Sequence, residues 1–401
     1  MEPENRRQSV AGSPPRAGPV EGGLARVPLL WGGVAAGFLV LITLVLWRPS
    51  SGGVGPVMQP NTNSNRAHAA GVEGVQGGNG PGLKRPQIRA GTNTVTTPWQ
   101  ALKESLENGE GVKVPPEVAA AFVEKNRRSA SSLLAAWQGT GDRAYLNEAA
   151  EKHPEDPRVQ LMMATLYAEG SDEKRKWLDR MKESAPDNAL GSFLSAADYF
   201  GNSNRVQGLQ DLSDAVKKSR FDTSTGTSMQ DFEELLIEAG EPALKARAVS
   251  VSSTLLPYLS KLKALGVAVG ETRASYMEAG DTASAAATLD MGLNLANRLN
   301  PPEGGQTLID SLVGAAVELI ILNKMPPDEL LPSGETVASR IQTRKEQRTA
   351  MKELAATSST ALENASEADM MNYFERFKSQ GETAAMKWLI NRTGTGAASP
   401  P

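Results

Sequence analysis

Apolar residues recur at helical spacing from Pro98 onward, in runs that are separated by short polar joints rich in Pro, Gly and Asp. No run of useful length alternates apolar and polar residues as a half-buried strand does. Proline, serine or aspartate, which favour the first positions of helices, opens the runs that begin at Pro98, Pro115, Ser129 and Asp142. The pattern predicts an all-α domain over residues 98–392.

One uncharged apolar run stands apart from this pattern. Residues 27–47 contain no charged side chain and are bounded by Arg26 and Arg48. At about 1.5 Å per residue, a helix of this length crosses the roughly 30 Å core of a bilayer. Trp31 and Trp47 fall where the aromatic belts of membrane proteins lie. The run predicts a single transmembrane helix. A cleaved signal peptide is the alternative, but its apolar region is normally shorter.

The flanking charges indicate the orientation of this helix. Four arginines lie within residues 1–26, and two follow the helix within about 20 residues. This bias favours residues 1–26 as a cytoplasmic basic tail, with the C-terminal domain on the periplasmic side of the inner membrane. Gly33 and Gly37 have the GxxxG spacing that lets two helices pack closely, so a dimer is one interpretation; glycine is also common in membrane helices without that role.

Two segments lack the composition of a folded domain. Residues 48–97 mix Gly, Pro, Asn and Thr, which cannot bury enough apolar surface to offset the entropy of ordering. They predict a disordered linker, a coil whose root-mean-square reach is roughly 35–42 Å. Residues 393–401 predict a disordered tail.

A repeat lies within the helical region. Residues 151–188 align with the residues that lie 32 positions later in the chain. In this alignment a joint, a small position, an aromatic position, a polar turn and an apolar position each fall on residues of the same kind. The aligned pairs include Pro154 with Pro186, Leu161 with Phe193, Ala164 with Ala196, Tyr167 with Tyr199, Ser171 with Ser203 and Trp177 with Leu209. A two-helix unit this short cannot bury its apolar face alone, so the repeat predicts stacked units.

These residues resemble the tetratricopeptide repeats, which have a small residue and then an aromatic in the first helix, a Gly-Asp-like turn, and proline near the joint. Ala164 and Tyr167 match the first helix, and residues 170–172 match the turn. The period departs from the family's usual value of about 34. Lys176 and Gly208 stand where the family has alanine.

The resemblance implies a superhelix whose concave face is lined by the first helix of each unit. Carried onto the two matched repeats, that face includes Arg158, Leu161, Thr165, Glu169, Phe193 and Phe200. An amphipathic peptide or helix of a partner protein would bind there. The alternative is that both phenylalanines pack in the core, against the next hairpin or a C-terminal helix.

Composition narrows the classes of chemistry. The chain has no Cys and only two His, which removes disulfides, thiolate sites and cysteine nucleophiles and makes a zinc site or a serine–histidine triad unexpected. Residues 98–401 carry a net charge of −9, which argues against nucleic-acid binding. The acidic pair Asp328-Glu329 reads as a solvated surface. We expect no catalytic residue, cofactor or metal.

The sequence therefore predicts a membrane-tethered scaffold of the bacterial cell envelope, which binds a protein or peptide through a helical-repeat domain and is not an enzyme. Two alternatives stay open. One is a periplasmic enzyme that acts on polysaccharides, with its active site in the out-of-register residues 228–392. The other is a regulator that is released when its tether is cleaved.

Overall fold

The computed structural model describes residues 97–107, 114–301 and 307–394, and every regular element among them is an α-helix. The prediction of an all-α domain is thus confirmed for this part of the chain. Its helices are α1 (Pro98–Glu107), α2 (Pro116–Lys125), α3 (Ala130–Thr140), α4 (Arg143–Lys152), α5 (Pro157–Leu166), α6 (Asp172–Ser184), α7 (Ala189–Gly201), α8 (Arg205–Lys217), α9 (Thr225–Glu238), α10 (Ala243–Ser252), α11 (Tyr258–Glu278), α12 (Thr282–Leu299), α13 (Leu308–Leu322), α14 (Val337–Glu363), α15 (Glu367–Gln380) and α16 (Glu382–Thr393).

Local signals explain where these helices begin. Ser129 accepts a hydrogen bond from the backbone N–H of Ser132, and Asp142 accepts one from Ala144, so both side chains cap the free N–H groups of a first turn. Proline is the first residue of both α1 and α2, where its missing N–H costs nothing. All four helix starts predicted from the sequence are confirmed.

The helices follow two different packing rules. From α2 to α8, each helix packs against the next one along the chain, as in a helical array. Helix α9 then returns to pack against α3, α11 packs against α7, and α12 packs against α8. At the C-terminal end, α14 contacts α1, α13 and α16, while α10 packs against α15. The array is therefore covered by the second half of the described chain and does not continue as a simple stack.

Three clusters of buried apolar side chains follow from this arrangement. An N-terminal core joins α2–α5 to α9 and α10, with Leu133 and Phe232 fully buried in it. A central core joins α5–α8 to α11–α13 around Phe193 and Tyr258. A C-terminal core joins α1, α9 and α10 to α13–α16 around Phe374. Each core takes side chains from helices that are distant in sequence, so the clusters hold the two halves of this region together.

The two repeated hairpins are α5–α6 and α7–α8. Their first helices are capped by Asp156 and Asn188, 32 positions apart, whereas their second helices are capped by Ser171 and Asn204, 33 apart. The second hairpin therefore has one residue more before its second helix. In both hairpins a residue of positive φ precedes the second cap; it is a glycine in the first and Ser203 in the second.

Small residues set how closely the helices of these hairpins approach. Ala164 and Ala196, the paired small positions of the two first helices, are both buried in the central core. Gly208 faces Phe200 across the second hairpin, and a Cβ at that position would lie 2.8 Å from Cδ2 of the ring. A side chain larger than glycine at this position would therefore collide with the phenylalanine ring.

The predicted transmembrane helix, residues 27–47, lies outside the described residues, and so do Gly33, Gly37 and almost all of the predicted linker. Within the described ranges, no helix is both long enough and apolar enough to cross a membrane. At the C-terminal end, α16 includes Thr393, the first residue of the predicted tail.

Candidate functional site

The concave face predicted from the repeats begins with Arg158 on α5, whose guanidinium is bound on several sides. It donates to Asp156 at 2.8 and 3.1 Å, to the Ser131 hydroxyl at 3.2 Å, and to Asp231 on α9. Burial alone would lower the pKa of Arg158, but the two carboxylates raise it above its usual value, so the side chain stays charged. Burial in turn raises the pKa of Asp231. Arg158 therefore holds α9 against the array.

The next predicted groove positions, on α5 and in the segment that follows it, also contact the protein itself. Leu161 is buried in the central core, and Thr165, although exposed, donates its hydroxyl hydrogen bond to the Leu161 carbonyl at 2.8 Å. Glu169 pairs with Lys261 on α11 and, at 3.4 Å, with Lys174. Burial alone would raise the pKa of Glu169, but these two lysines lower it. The far end of the predicted face is thereby tied to α11.

The two phenylalanines of the second repeat occupy different environments. Phe193 is fully buried and meets Phe221 edge to face, with ring centroids 6.2 Å apart. Phe200 is half-buried and packs against the central core. Phe193 thus has no surface to offer a partner in this conformation.

Helix α11 explains why the predicted concave face is not open. Pro257, Tyr258 and Lys261 lie opposite α5 and α7, and the space left between them and those helices is only about 20 Å³. A space of that size holds about one water molecule. Helix α11 therefore covers the face at which the sequence predicts a partner.

A large open hollow lies beside α12, and sequence reasoning missed it. Its volume is about 630 Å³, and its walls are α12, the end of α11 and the loop that precedes α14. A second hollow of about 300 Å³ adjoins it; Asp290, Leu331 and Pro332 line both. We call the two together the α12 groove, and the loop segment 326–336 the strap.

The strap is held in place by its own backbone. Leu331 donates to the Glu335 carbonyl at 2.9 Å, and the first residues of α14 donate back to Pro327 and Glu329 at 2.9 and 3.0 Å. Arg273 on α11 binds the Glu329 side chain and is itself almost completely buried. Its Nε–H has no acceptor within the described residues. These contacts fix the wall of the groove against both neighbouring helices.

The side chains of the α12 groove combine apolar surface with negative charge. Leu330 on the strap is 66% exposed and Met277 at the end of α11 is 41% exposed, yet both line the same hollow. Asp290 and Asp328 are exposed, and neither carboxylate has an ion-pair or hydrogen-bond partner in the described part of the chain. The groove therefore presents apolar side chains beside unpaired carboxylates.

A signal for this groove was present in the sequence. The strap begins Pro-Pro-Asp-Glu-Leu-Leu-Pro, which places two adjacent leucines among prolines in a segment without helical spacing. Of these two leucines, Leu331 is buried and Leu330 is exposed. The sequence predicts a solvated surface for the pair Asp328-Glu329; Asp328 is exposed, but Glu329 is bound to Arg273.

No family model, curated protein or solved structure matches the chain. Within the described residues, no group of three or more histidine, aspartate or glutamate side chains is arranged to hold a metal ion.

Proposed function

We propose that the protein is a membrane-tethered, non-enzymatic scaffold of the bacterial cell envelope that binds another protein. One observation carries the proposal: the α12 groove, about 630 Å³ in its larger hollow, is open, preformed and lined by exposed apolar side chains. Scattered exposed apolar residues are normal on a protein surface, but two of them at one concave site support the proposal of an interaction surface there.

The helical-repeat part of the proposal is supported by the two matched hairpins. They have equivalent caps, buried alanines at the equivalent first-helix position and neighbouring places in the array from α2 to α8. These are features of a tetratricopeptide-like superhelix. In this proposal α11 packs on the concave face, and the partner binds in the α12 groove.

The tether is supported by the sequence of residues 27–47 and by the Arg26 and Arg48 that flank them. A charged residue at the centre of such a helix costs roughly 2.5–3.5 kcal/mol on insertion scales, which explains why an uncharged run of 21 residues is the usual signature of a span. A scaffold held in this way would meet its partner at the membrane surface.

The experiment isolates the tagged full-length chain from the membranes of cells that express it, after chemical cross-linking, and quantifies every protein that accompanies it. The membranes are washed at alkaline pH before the chain is isolated from them, and this wash should leave the chain in the membrane. We expect one partner in near-stoichiometric amount with the wild-type chain and much less with Leu330→Ser. Val206→Ser, which alters a 73% exposed side chain on α8, is the matched control and should keep the partner. A wild-type chain with no stoichiometric partner would refute the scaffold.

A further inference from the structure

We infer that the α12 groove binds an extended peptide segment of a partner protein in which lysine or arginine residues flank an aliphatic or aromatic side chain. The inference rests on the proposed function and adds the chemistry of the partner.

The apolar part of the ligand follows from the floor and rim of the larger hollow. Leu289 of α12 lines it and is buried, while Met277 at the end of α11 and Leu330 on the strap line it and are exposed. An apolar side chain placed between them would remove both from water, at about 25 cal/mol for each Å² of apolar surface covered. Methionine adapts to side chains of different shape, so this wall accepts either a branched aliphatic group or a ring.

The basic part of the ligand follows from the unpaired carboxylates. Asp290 lies on the α12 wall and also borders the smaller hollow, and Asp328 lies on the strap. Elsewhere on the described surface many exposed acids pair with a neighbouring base, as Glu238 does with Lys125 at 2.7 Å. Two acids left unpaired beside apolar side chains complement a cation of the partner, and their charge repels nucleic acid and anionic lipid surfaces.

The shape of the ligand follows from the strap. Its backbone is already hydrogen-bonded to the start of α14, and the Arg273–Glu329 pair fixes it to α11, so binding would order little of the protein. A preformed wall lowers the entropic cost of association. The two hollows adjoin along α12, which suits an extended segment better than a single compact group.

The test measures the binding of fluorescein-labelled twelve-residue peptides to the detergent-solubilised full-length chain by fluorescence anisotropy. The first peptide alternates Lys or Arg with Leu or Phe; the second replaces its basic residues with Glu; the third replaces its apolar residues with Ser. We expect saturable binding of the first peptide only, weakened by salt because surface charges are screened. Equal binding of the acidic peptide, or no binding of the first peptide to any form of the chain, would overturn the inference.

Variants of the groove residues then test whether the peptide binds in the α12 groove. Asp290→Lys/Asp328→Lys and Leu330→Ser should each weaken binding of the first peptide about tenfold. The controls Glu183→Lys and Val206→Ser, at exposed positions on α6 and α8, should leave it unchanged. All five substituted positions are exposed, and circular dichroism of each variant checks that it remains folded. Binding that ignores the groove variants would overturn the inference.

Two other occupants of the α12 groove would give different results in these experiments. The chain itself carries a basic and apolar stretch, Leu83-Lys-Arg-Pro-Gln-Ile-Arg89. If the peptide binds only after Lys84→Ser/Arg85→Ser/Arg89→Ser, the groove belongs to that stretch and the choice of a partner protein is wrong. A dimer that dissociates on Leu330→Ser would point to a second copy instead. If a cellular partner is lost with Leu330→Ser but no peptide binds, the scaffold stands and only the proposed partner chemistry falls.

Discussion

At the scale of single residues, buried carboxylates join the helices of this molecule. Asp198 on α7 is almost fully buried and accepts hydrogen bonds from the Gly170 backbone N–H at 3.0 Å and from Arg175, with Lys174 at 3.2 Å. Burial alone would raise the pKa of Asp198, but these partners lower it below its usual value. The side chain therefore stays ionised and ties the turn of the first hairpin to the first helix of the second.

Replacing this carboxylate should be costly. In Asp198→Asn, Lys174 and Arg175 lose their common counter-ion in a site with little access to water, and we expect the free energy of unfolding to fall by about 3 kcal/mol. Because the native pKa is lowered, the wild-type contribution should be complete above about pH 4 and should disappear as the pH falls further. Urea denaturation checks both points. Asp179→Asn, whose partner Lys182 lies on the surface of α6, should cost less than about 1 kcal/mol; equal losses would contradict this account.

Glu382 shows the opposite shift. Burial, aided by the charge of Asp310 on α13, raises the pKa of Glu382 to about 7, although the backbone N–H of Leu308 donates to it at 2.6 Å. Tyr373 on α15 faces the same carboxyl. The unfolded chain releases this proton near pH 4.5, so the free energy of unfolding should fall by roughly 3 kcal/mol between about pH 4.5 and 7.

Glu382→Gln should remove most of that slope, since glutamine still accepts the Leu308 hydrogen bond but cannot ionise. The variant should match the wild type near pH 4.5 and be about 1–3 kcal/mol more stable at pH 8. Urea titrations at several pH values provide the measurement, with the exposed Glu367→Gln as control. Parallel curves for Glu382→Gln and the wild type would show that the carboxyl does not titrate in this range.

At the scale of helices, α11, α12 and α13 approach one another at glycines. Gly314 on α13 is the tightest point, because a Cβ there would lie 2.7 Å from the backbone oxygen of Ala296 and 2.9 Å from the backbone nitrogen of Asn300. Gly270 on α11 is different: its Cβ would meet only the Lys324 side chain, at 3.3 Å, and more distant backbone. The same residue type thus serves packing at one position and little at the other.

This contrast predicts opposite effects of the same substitution. Gly314→Ala should destabilise the protein by about 2 kcal/mol or more, because the backbone of α12 would have to move. Gly270→Ala should be neutral or stabilising by up to about 1 kcal/mol, since alanine favours the helix and the lysine side chain can turn aside. Thermal unfolding of both variants decides the matter. If Gly314→Ala lost as little stability as Gly270→Ala, this would indicate that α12 and α13 separate easily.

Sequence reasoning succeeded where structure is decided by neighbouring residues. Ser129 and Asp142 cap their own first turns, so the helix starts could be read directly, and the spacing of the repeat followed from Ala164 and Ala196. The return of α9 to α3 could not be read in this way, because it depends on Phe232 meeting an apolar surface about a hundred positions earlier in the chain. The strap was missed for the same reason: it forms a wall of the groove only because α11 and α12 pack beside it.

At the scale of the whole molecule, the repeats are completed by helices from the second half of the chain. Tyr258 and Leu262 of α11 are buried in the central core beside Phe193, and the Tyr258 hydroxyl donates to Asp310 on α13 at 2.8 Å. Phe232 of α9 fills the N-terminal core in the same manner. An array that relies on such distant side chains lacks part of both cores when the second half is removed.

A chain truncated after Ser219 should therefore fail to fold cooperatively. Residues 98–219 keep both hairpins but lose α9 and α11, which would leave Phe193 and Leu133 facing water and Arg158 without Asp231. We expect a broad, non-cooperative thermal transition by circular dichroism, beside a sharp one for residues 98–394. Adding residues 220–278 to the shorter chain should restore part of the cooperativity, because α9 and α11 can then pack against α3 and α7. A sharp transition for residues 98–219 alone would show instead that the hairpins form a self-sufficient stack.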